Sequence, residues 1–240
     1  SDVYKRQGFL TGFTLTGASM AINDYYDREI DAINEPQRPI PSGAVTPSQA
    51  LSLASILTVI GFSAAFVTNI ECFALAIISW LISVFYVTSG KRTGLFGNFL
   101  VSACVSAPFI YGNFVVEKFN LAVFLFATLA FLSNSGREIT KGIVDIEGDR
   151  VRNVKTLAVR FGSKPAALIA ILFYVFAVAL SPIPVILNLV SLWFVPFVLI
   201  TDFGLIFSSI SLFKDCSREN AKKVKNMVLV LSLIHISEPT

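Results

Sequence analysis

Asn23, Asp27 and Asp31 stand four residues apart in the run N-D-Y-Y-D-R-E-I-D, residues 23–31. On a helix that spacing puts all three side chains on one face, with Asp24 beside them. Carboxylates stacked in this way repel each other unless water or a counter-ion lies between them. Magnesium is such a counter-ion. It takes carboxylate oxygens and usually keeps substrate phosphate oxygens among its other ligands. The competing reading is a solvated, acidic helix end.

A second row has the same spacing: Arg137, Lys141, Asp145 and Asp149. These are expected to form one slanted row on a single helix. Two cations followed by two anions suit a metal-bound diphosphate, with the carboxylates on the metal and the cations on phosphate oxygens. The alternative is a ladder of salt bridges between residues four apart, each worth only about 0.3–0.5 kcal/mol.

Further candidates lie around these rows. The segment N-E-P-Q-R-P-I-P-S-G, residues 34–43, holds three prolines and predicts a stiff, non-helical turn. Arg38, set between the prolines, is held in place and suits bidentate phosphate contact, although the segment taken by itself reads more readily as an ordinary loop between membrane helices. Lys91, shortly after an apolar run, and Lys155 in V-K-T-L are candidate phosphate contacts. Both also fit lysines that snorkel from a helix end. Tyr86 offers an aromatic face to a carbocation. Asp202 sits inside an apolar run, where a carboxyl is by default a functional candidate; a protonated, hydrogen-bonded packing residue is the alternative.

The elements that must position these groups are membrane-spanning. Of 240 residues, 54% are hydrophobic and 15% charged, with a mean hydropathy of +0.70, against about 25% charged residues in a soluble domain. Apolar runs long enough to cross a bilayer as helix are expected at about 8–26, 47–68, 70–89, 97–116, 119–141, 163–181 and 188–213. An eighth begins near 226, and Pro182 and Pro184 break the chain between the sixth and seventh. The class is therefore an all-α, polytopic transmembrane helical bundle, without a second domain.

Basic residues gather on alternate connections: Arg28 and Arg38; Lys91 and Arg92; Arg137, Lys141, Arg150, Arg152, Lys155, Arg160 and Lys164; and Lys214, Arg218, Lys222, Lys223 and Lys225. The other connections carry only Lys118. The basic side, which bears the acidic motifs, is then expected to face the cytoplasm, with the protein in the cytoplasmic membrane. Asp27-x-Glu29-x-Asp31 recurs as Asp145-x-Glu147-x-Asp149, and Pro47 recurs as Pro165 at the same offset of 118 residues. Four aligned positions suggest two duplicated helical units. Cys72, Cys104 and Cys216 fit no metal motif or disulfide framework. The single histidine, His235, excludes His-ligated haem and a His-rich zinc site. Residues 1–7 (SDVYKRQ) and 233–240 (IHISEPT preceded by Leu233) resemble translated sequencing-adapter sequence. A single domain over 8–232, truncated at both ends, is expected between them.

N-D-Y-Y-D-R-E-I-D-A-I-N-E-P-Q-R-P-I-P-S-G resembles the first signature of the UbiA-type intramembrane prenyltransferases, and R-E-I-T-K-G-I-V-D-I-E-G-D-R-V-R-N-V-K-T-L-A the second. The resemblance implies nine transmembrane helices around a central cavity, about eight of them in this chain, with a polar cap over the cytoplasmic mouth. It implies Mg2+ held by Asn23, Asp27 and Asp31, with Asp24 beside them, and by Asp145 and Asp149. Arg38, Lys91, Arg137, Lys141 and Lys155 would bind the diphosphate and Tyr86 would face the allylic cation.

Within the family, R-E-I-x-K with D-I-E-G-D and K-T-L is most similar to the archaeal branch that builds ether lipids. That likeness implies a geranylgeranyl diphosphate donor and a lipid-like, phosphate-bearing acceptor, geranylgeranylglyceryl phosphate. The first motif is also similar to chlorophyll synthases, so chlorophyll or aromatic (quinone-pathway) prenylation is the alternative within the family. Gly142 departs from the pattern, because many relatives carry Asp there. An anion transporter is the rival of another class, but transporters place their sites near the bilayer midplane, whereas these acids cluster at helix ends. A non-catalytic lipid-binding scaffold gives no reason for two matched aspartate rows. No nucleic-acid partner is expected.

Overall fold

The computed structural model describes residues 2–116, 119–151 and 153–236. Lys118 and Arg152, used above in the charge pattern, lie outside the described residues, as do the side chains of Asn34 and of 233–236. Every regular element among the described residues is helical. The chain divides into two units, Ser1–Ser89 with Ile110–Phe119, and Gly90–Phe109 with Asn120–Thr240.

In the first unit, α1 (Asp2–Asn34), α2 (Pro47–Thr68) and α3 (Ile70–Thr88) pack together. α2 starts on a capping box: Thr46 Oγ1 accepts from Gln49 N, and Gln49 Oε1 accepts from Thr46 N. Pro47 follows at the first helical position, where its missing N–H is not needed. Asn69 ends α2 in an extended conformation and caps α3, its Oδ1 accepting from Cys72 N at 2.7 Å. The packing face is made of small residues, Ala18, Ala50, Ala54, Ala64 and Ala65, all buried. A Cβ at Gly61 would meet Leu15 and Thr14 at 2.7 Å. Small residues let membrane helices approach closely where water supplies no driving force.

The second unit holds most of α4 (Leu95–Val116), then α5 (Leu121–Val144), α6 (Ile146–Val151), α7 (Leu157–Phe161), α8 (Ser163–Leu180), α9 (Ile183–Ile186), α10 (Val195–Lys214) and α11 (Arg218–Ile236). Its core joins Ile139, Ile143 and Val144 of α5 to Ala166, Ala170 and Tyr174 of α8, Leu205 and Leu212 of α10, and Ala221, Val224 and Val228 of α11. Tyr174 lies over Gly136, where a Cβ would meet Tyr174 Cδ1 at 2.8 Å. Its hydroxyl is satisfied by Thr140 Oγ1 at 2.9 Å. A buried polar seam ties α4 to α5: Asn134 Nδ2 and Ser135 Oγ both donate to Ser102 Oγ, at 3.1 and 2.9 Å.

Five helical stretches are long and apolar enough to cross a membrane: Pro47–Thr68, Ile70–Thr88, Leu95–Val116, Ser163–Ile186 and Leu192–Lys214. Among the boundaries that differ from the sequence reading, the seventh run, expected from 188, becomes a short helical turn at Leu192–Phe194 and then α10 from Val195, and three others bear on the site. The first helix, expected at 8–26, continues to Asn34 and carries the whole first motif. The last, expected near 226, begins at Arg218, because Ser217 and Asp215 organise its start even though its first turns are polar. The expected single helix through Arg137, Lys141, Asp145 and Asp149 is broken: α5 ends at Val144 and Asp149 belongs to α6. Asp145 terminates α5 with φ −101° and ψ 11°, outside helical geometry.

Candidate active site

In the first unit, α1 is continuous through the first motif, so Asn23, Asp27 and Asp31 share one face as their spacing predicts. Asn23, Asp24 and Asp27 are half-buried and Asp31 is 8% exposed. Arg28 turns elsewhere, stacking 4.6 Å over the Tyr25 ring and donating to Tyr25 O at 2.8 Å.

The proline-rich segment after α1 is a series of turns, as expected. Ser42 N donates to Arg38 O and Val45 N to Pro39 O, at 2.9 and 3.0 Å, and Gly43 takes φ +77°, which favours glycine. The result holds Arg38 against the acids. Its Nη1 lies 3.1 Å from both Asp24 Oδ1 and Asp31 Oδ2, and its Nε donates to Glu35 Oε2 at 2.7 Å. The Glu35 carboxylate, with Asp31 and Asp24 adding to it, pushes the guanidinium pKa above its ordinary value. Arg38 is fixed, as its prolines suggest, but it is fixed by carboxylates, and it supplies the counter-ion that the stacked acids require.

In the second unit, α5 presents Arg137 and Lys141 around Glu138, a residue the sequence reading passed over. Glu138 is 7% exposed. Its Oε1 accepts from Arg137 Nη1 at 2.7 Å, and its Oε2 lies 3.6 Å from Lys141 Nζ. Arg137 Nε is buried and makes no hydrogen bond among the described residues. Past the break, Asp145 N donates to Lys141 O at 3.1 Å and Asp149 N to Asp145 O at 2.8 Å. The carboxylates therefore follow the two cations in sequence, but on a turn and a short helix rather than on one continuous row. The physical reason is partly local and partly tertiary. Asp is a poor interior helix residue that competes for backbone groups, Gly148 follows, and Arg218 Nε donates to Val144 O at 3.0 Å, holding the end of α5.

Lys155, exposed in the loop after α6, is drawn to the turn that carries Lys91: its backbone N–H reaches Arg92 O at 3.5 Å. Gly94, at φ +68°, packs so tightly there that a Cβ would run into the Lys155 carbonyl. Lys91 is half-buried in the short helical turn Gly90–Thr93. Tyr86 is half-buried in the last turn of α3, in the first unit. Gly142 is buried against Thr156, whose Cβ lies 3.5 Å from where a Cβ would stand. Asp202 has a partner that its sequence context did not reveal: Ser181 Oγ donates to its Oδ2 at 2.6 Å, while its Oδ1 is buried and makes no hydrogen bond among the described residues. Glu138 and Arg218 carried a signal only in hindsight: an acid between two cations, and an arginine opening the last helix.

The donor set suits a hard cation. Asn23, Asp24, Asp27, Asp31, Asp145 and Asp149 offer oxygen donors, the preference of magnesium. In this conformation no three His, Cys, Asp or Glu side chains among the described residues converge closely enough to hold a metal. Within the first motif it is the Arg38 guanidinium that draws Asp24 and Asp31 together.

Comparison with known proteins gives one answer. The digeranylgeranylglyceryl phosphate synthase of Methanosphaera stadtmanae is 32% identical over 227 residues, covering 95% of this chain and 83% of that protein. That of Archaeoglobus fulgidus is 36% identical, covering 98% and 82%. A solved structure of digeranylgeranylglyceryl phosphate synthase in membranes matches with a TM-score of 0.86 at 30% identity, over 98% of this chain and 84% of that one. A UbiA homologue from Archaeoglobus fulgidus bound to DMAPP and Mg2+ shares the fold, with a TM-score of 0.77 at 15% identity, over 100% and 89% of the two chains. The profile of the UbiA prenyltransferase family matches residues 7–233, and the chain belongs to that family as a multi-pass membrane prenyltransferase.

Proposed function

We propose that the protein transfers the geranylgeranyl group of geranylgeranyl diphosphate to the free hydroxyl of geranylgeranylglyceryl phosphate, forming an ether. The support is chemical and familial. Relatives 32–36% identical across nearly the whole chain are named for digeranylgeranylglyceryl phosphate, and the motifs hold more cations than one diphosphate needs. The observation that carries the reading is that half-buried cations beside each motif are held by carboxylates, Arg38 by Asp24 and Asp31 in one unit, and Arg137 with Lys141 by Glu138 in the other. Two such groups suit a substrate pair that brings both a diphosphate and a phosphate.

In this reading the allylic C–O bond of the donor breaks and its electron pair leaves with the diphosphate. The acceptor hydroxyl oxygen forms the new C–O bond and gives up its proton. Bound magnesium supplies positive charge for the leaving diphosphate. Asn23, Asp24, Asp27 and Asp31 would hold it from the first motif, and Asp145 and Asp149 from the second. Arg38, Lys91, Arg137, Lys141 and Lys155 take phosphate oxygens and stabilise the charge that develops on them. Tyr86 turns an aromatic face to the allylic cation. The apolar helices exclude water that would otherwise capture it. We take the two units as parts of one domain over 8–232, with motif loops that face the cytoplasm, following the distribution of Lys and Arg.

An acceptor panel tests this. Purified enzyme with magnesium and labelled geranylgeranyl diphosphate is given geranylgeranylglyceryl phosphate, 4-hydroxybenzoate or chlorophyllide in separate reactions. Ether product and inorganic diphosphate are expected with the glycerol phosphate alone. Product with the aromatic acid or chlorophyllide, and none with the glycerol phosphate, moves the protein to another branch of the family. No diphosphate release with any acceptor removes the reading altogether.

A further inference from the structure

Arg218 opens α11, 74 residues beyond the point it touches. Its Nε donates to the carbonyl of Val144 at 3.0 Å. Val144 is the last residue of α5 and is 7% exposed. The carbonyls of a final helical turn have no partner within the helix, and a cation placed there is favoured by the helix dipole as well. The next residue is Asp145. The peptide between Val144 and Asp145 is therefore held from both sides, its N–H by Lys141 O and its carbonyl by Arg218. Asp149 in turn hangs its N–H on Asp145 O at 2.8 Å.

Arg218 is itself mounted rigidly. Ser217 N and Oγ donate to the Asp215 carboxylate at 2.8 and 2.9 Å. Asn220 Nδ2 donates to Asp215 O at 2.6 Å and Ser211 O at 3.0 Å, which ties the start of α11 to the end of α10. Ala221 and Val224, on the next turn, are fully buried in the core shared with Ile143 and Val144. The stretch K-D-C-S-R-E-N, which reads in sequence as a basic loop, is a built mount that delivers one guanidinium to the place where α5 breaks.

We infer that Arg218 is a positioning residue for the second acidic motif: it sets where α5 stops, and through that where the Asp145 and Asp149 carboxylates stand. The inference rests on the proposed role of Asp145 and Asp149 as metal ligands. Without Arg218 a buried carbonyl loses its donor, the chain can continue or fray past Val144, and both carboxylates lose their fixed place.

The test compares Arg218→Ala, Arg218→Met, Arg218→Lys and a control, Lys222→Ala, which removes an exposed charge one turn further along α11. Mn2+ is titrated as the probe by electron paramagnetic resonance with inorganic diphosphate present, and thermal stability is recorded alongside. Groups that orient metal ligands typically change affinity about 10–100-fold when removed. Arg218→Ala is expected to weaken Mn2+ binding about tenfold and to raise the Mg2+ needed for half-maximal turnover by a similar factor. Arg218→Lys should recover part of the loss, and Lys222→Ala should match the wild type. If Arg218→Ala lowers the melting temperature and leaves Mn2+ affinity unchanged, Arg218 is only a helix cap and the inference is overturned. Should the alanine variant not fold, Arg218→Met carries the comparison, since it keeps an unbranched stem and loses both the N–H donor and the charge; wild-type affinity there overturns the inference equally. Asp145→Asn separates the two levels. If it abolishes Mn2+ binding while Arg218→Ala does not alter it, the positioning role alone falls. If Asp145→Asn has no effect on Mn2+ binding, the ligand assignment falls first.

Discussion

One nitrogen of Arg38, Nη1, lies 3.1 Å from Asp31 Oδ2 and 3.1 Å from Asp24 Oδ1, so a single guanidinium bridges two carboxylates seven residues apart on α1. The Asp31 side chain is only 11% exposed, so water cannot do this in place of Arg38. Replacing Arg38 with Ala leaves the acids in mutual repulsion. A half-exposed ion pair is worth about 1 kcal/mol or less, which in a chain of this size corresponds to a fall in Tm of about 2–4 °C. Added Mg2+ should recover stability in Arg38→Ala by more than it raises the wild type, because the cation then supplies the missing charge. Scanning fluorimetry in detergent with and without Mg2+ measures both. An equal magnesium shift in the two proteins would contradict the counter-ion role.

Glu138 stands to Arg137 and Lys141 as Arg38 stands to the first motif, with the signs reversed. It is more buried than either cation. Removing the charge from a buried partner strands the others. Glu138→Gln should therefore destabilise the protein, and Arg137→Ala combined with it should cost less than the sum of the two single changes. A double-mutant cycle on stability is expected to give a coupling of about 1–3 kcal/mol. Strict additivity would show that the pair is only a close approach.

These two clusters show what the sequence could and could not display. The spacing Asn23, Asp27, Asp31 names a face because α1 runs unbroken through it. The identical spacing of Lys141, Asp145 and Asp149 misleads, because spacing carries no record of a helix end imposed by Arg218 from 74 residues away. Arg38 was legible as a constrained arginine from its flanking prolines, but its partners were not, since Asp24 and Asp31 approach it only after the turn folds back. Asp202 stood out as a charge in an apolar run, whereas Ser181, its donor, is an unremarkable serine 21 residues earlier. Apolar runs and turn chemistry are local and survive in sequence; the ends of helices and the pairing of charges are set by tertiary contacts.

The α10–α11 turn should be acid-sensitive. Ser217, through its N–H and its hydroxyl, holds the Asp215 carboxyl below its usual range, and Lys223 does the same for Glu219. A carboxylate with a depressed folded pKa stabilises the fold above its unfolded pKa, and that contribution is lost as the pH falls through the folded value. Acidification from about pH 6 to below the folded pKa of both groups should weaken this turn, because both keep their charge until the pH drops below the ordinary carboxylate range near pH 4. Asp215→Ala should be less stable than the wild type at the upper pH and indistinguishable from it at the lower one. Thermal melts across that span check the convergence; a constant gap would show that Asp215 acts without its charge.

The proposed orientation is open to labelling. With Cys72, Cys104 and Cys216 replaced, single cysteines at Ser42 and Ser163 report the motif side, and one at Asn120, the residue that caps α5, reports the other. In intact cells an impermeant thiol reagent should modify the cysteine at 120 and spare those at 42 and 163. The reverse pattern would place the motifs outside the cytoplasm.

The carboxylates themselves give the sharpest expectation. Asp27→Asn, Asp31→Asn, Asp145→Asn and Asp149→Asn keep shape and hydrogen-bonding capacity and remove one negative charge each. If the charges serve only the fold, their loss should leave turnover near normal and change stability little in α1, where relief of like-charge repulsion offsets the ion pair that Asp31 gives up with Arg38. If they hold the metal that neutralises the leaving diphosphate, each loss removes stabilisation that matters most in the transition state. Turnover should then fall by about a hundredfold or more, while the protein still purifies and melts cooperatively. Asp31→Asn has a further consequence. Arg38 keeps Asp24 and Glu35 as partners, so the turn should stay folded and the loss should appear in kcat rather than in expression. Asp145→Asn keeps the backbone contacts to Lys141, and Val144 keeps Arg218, so the break in α5 should persist there too. Near-normal turnover in any two of the four variants would remove the metal assignment from both motifs.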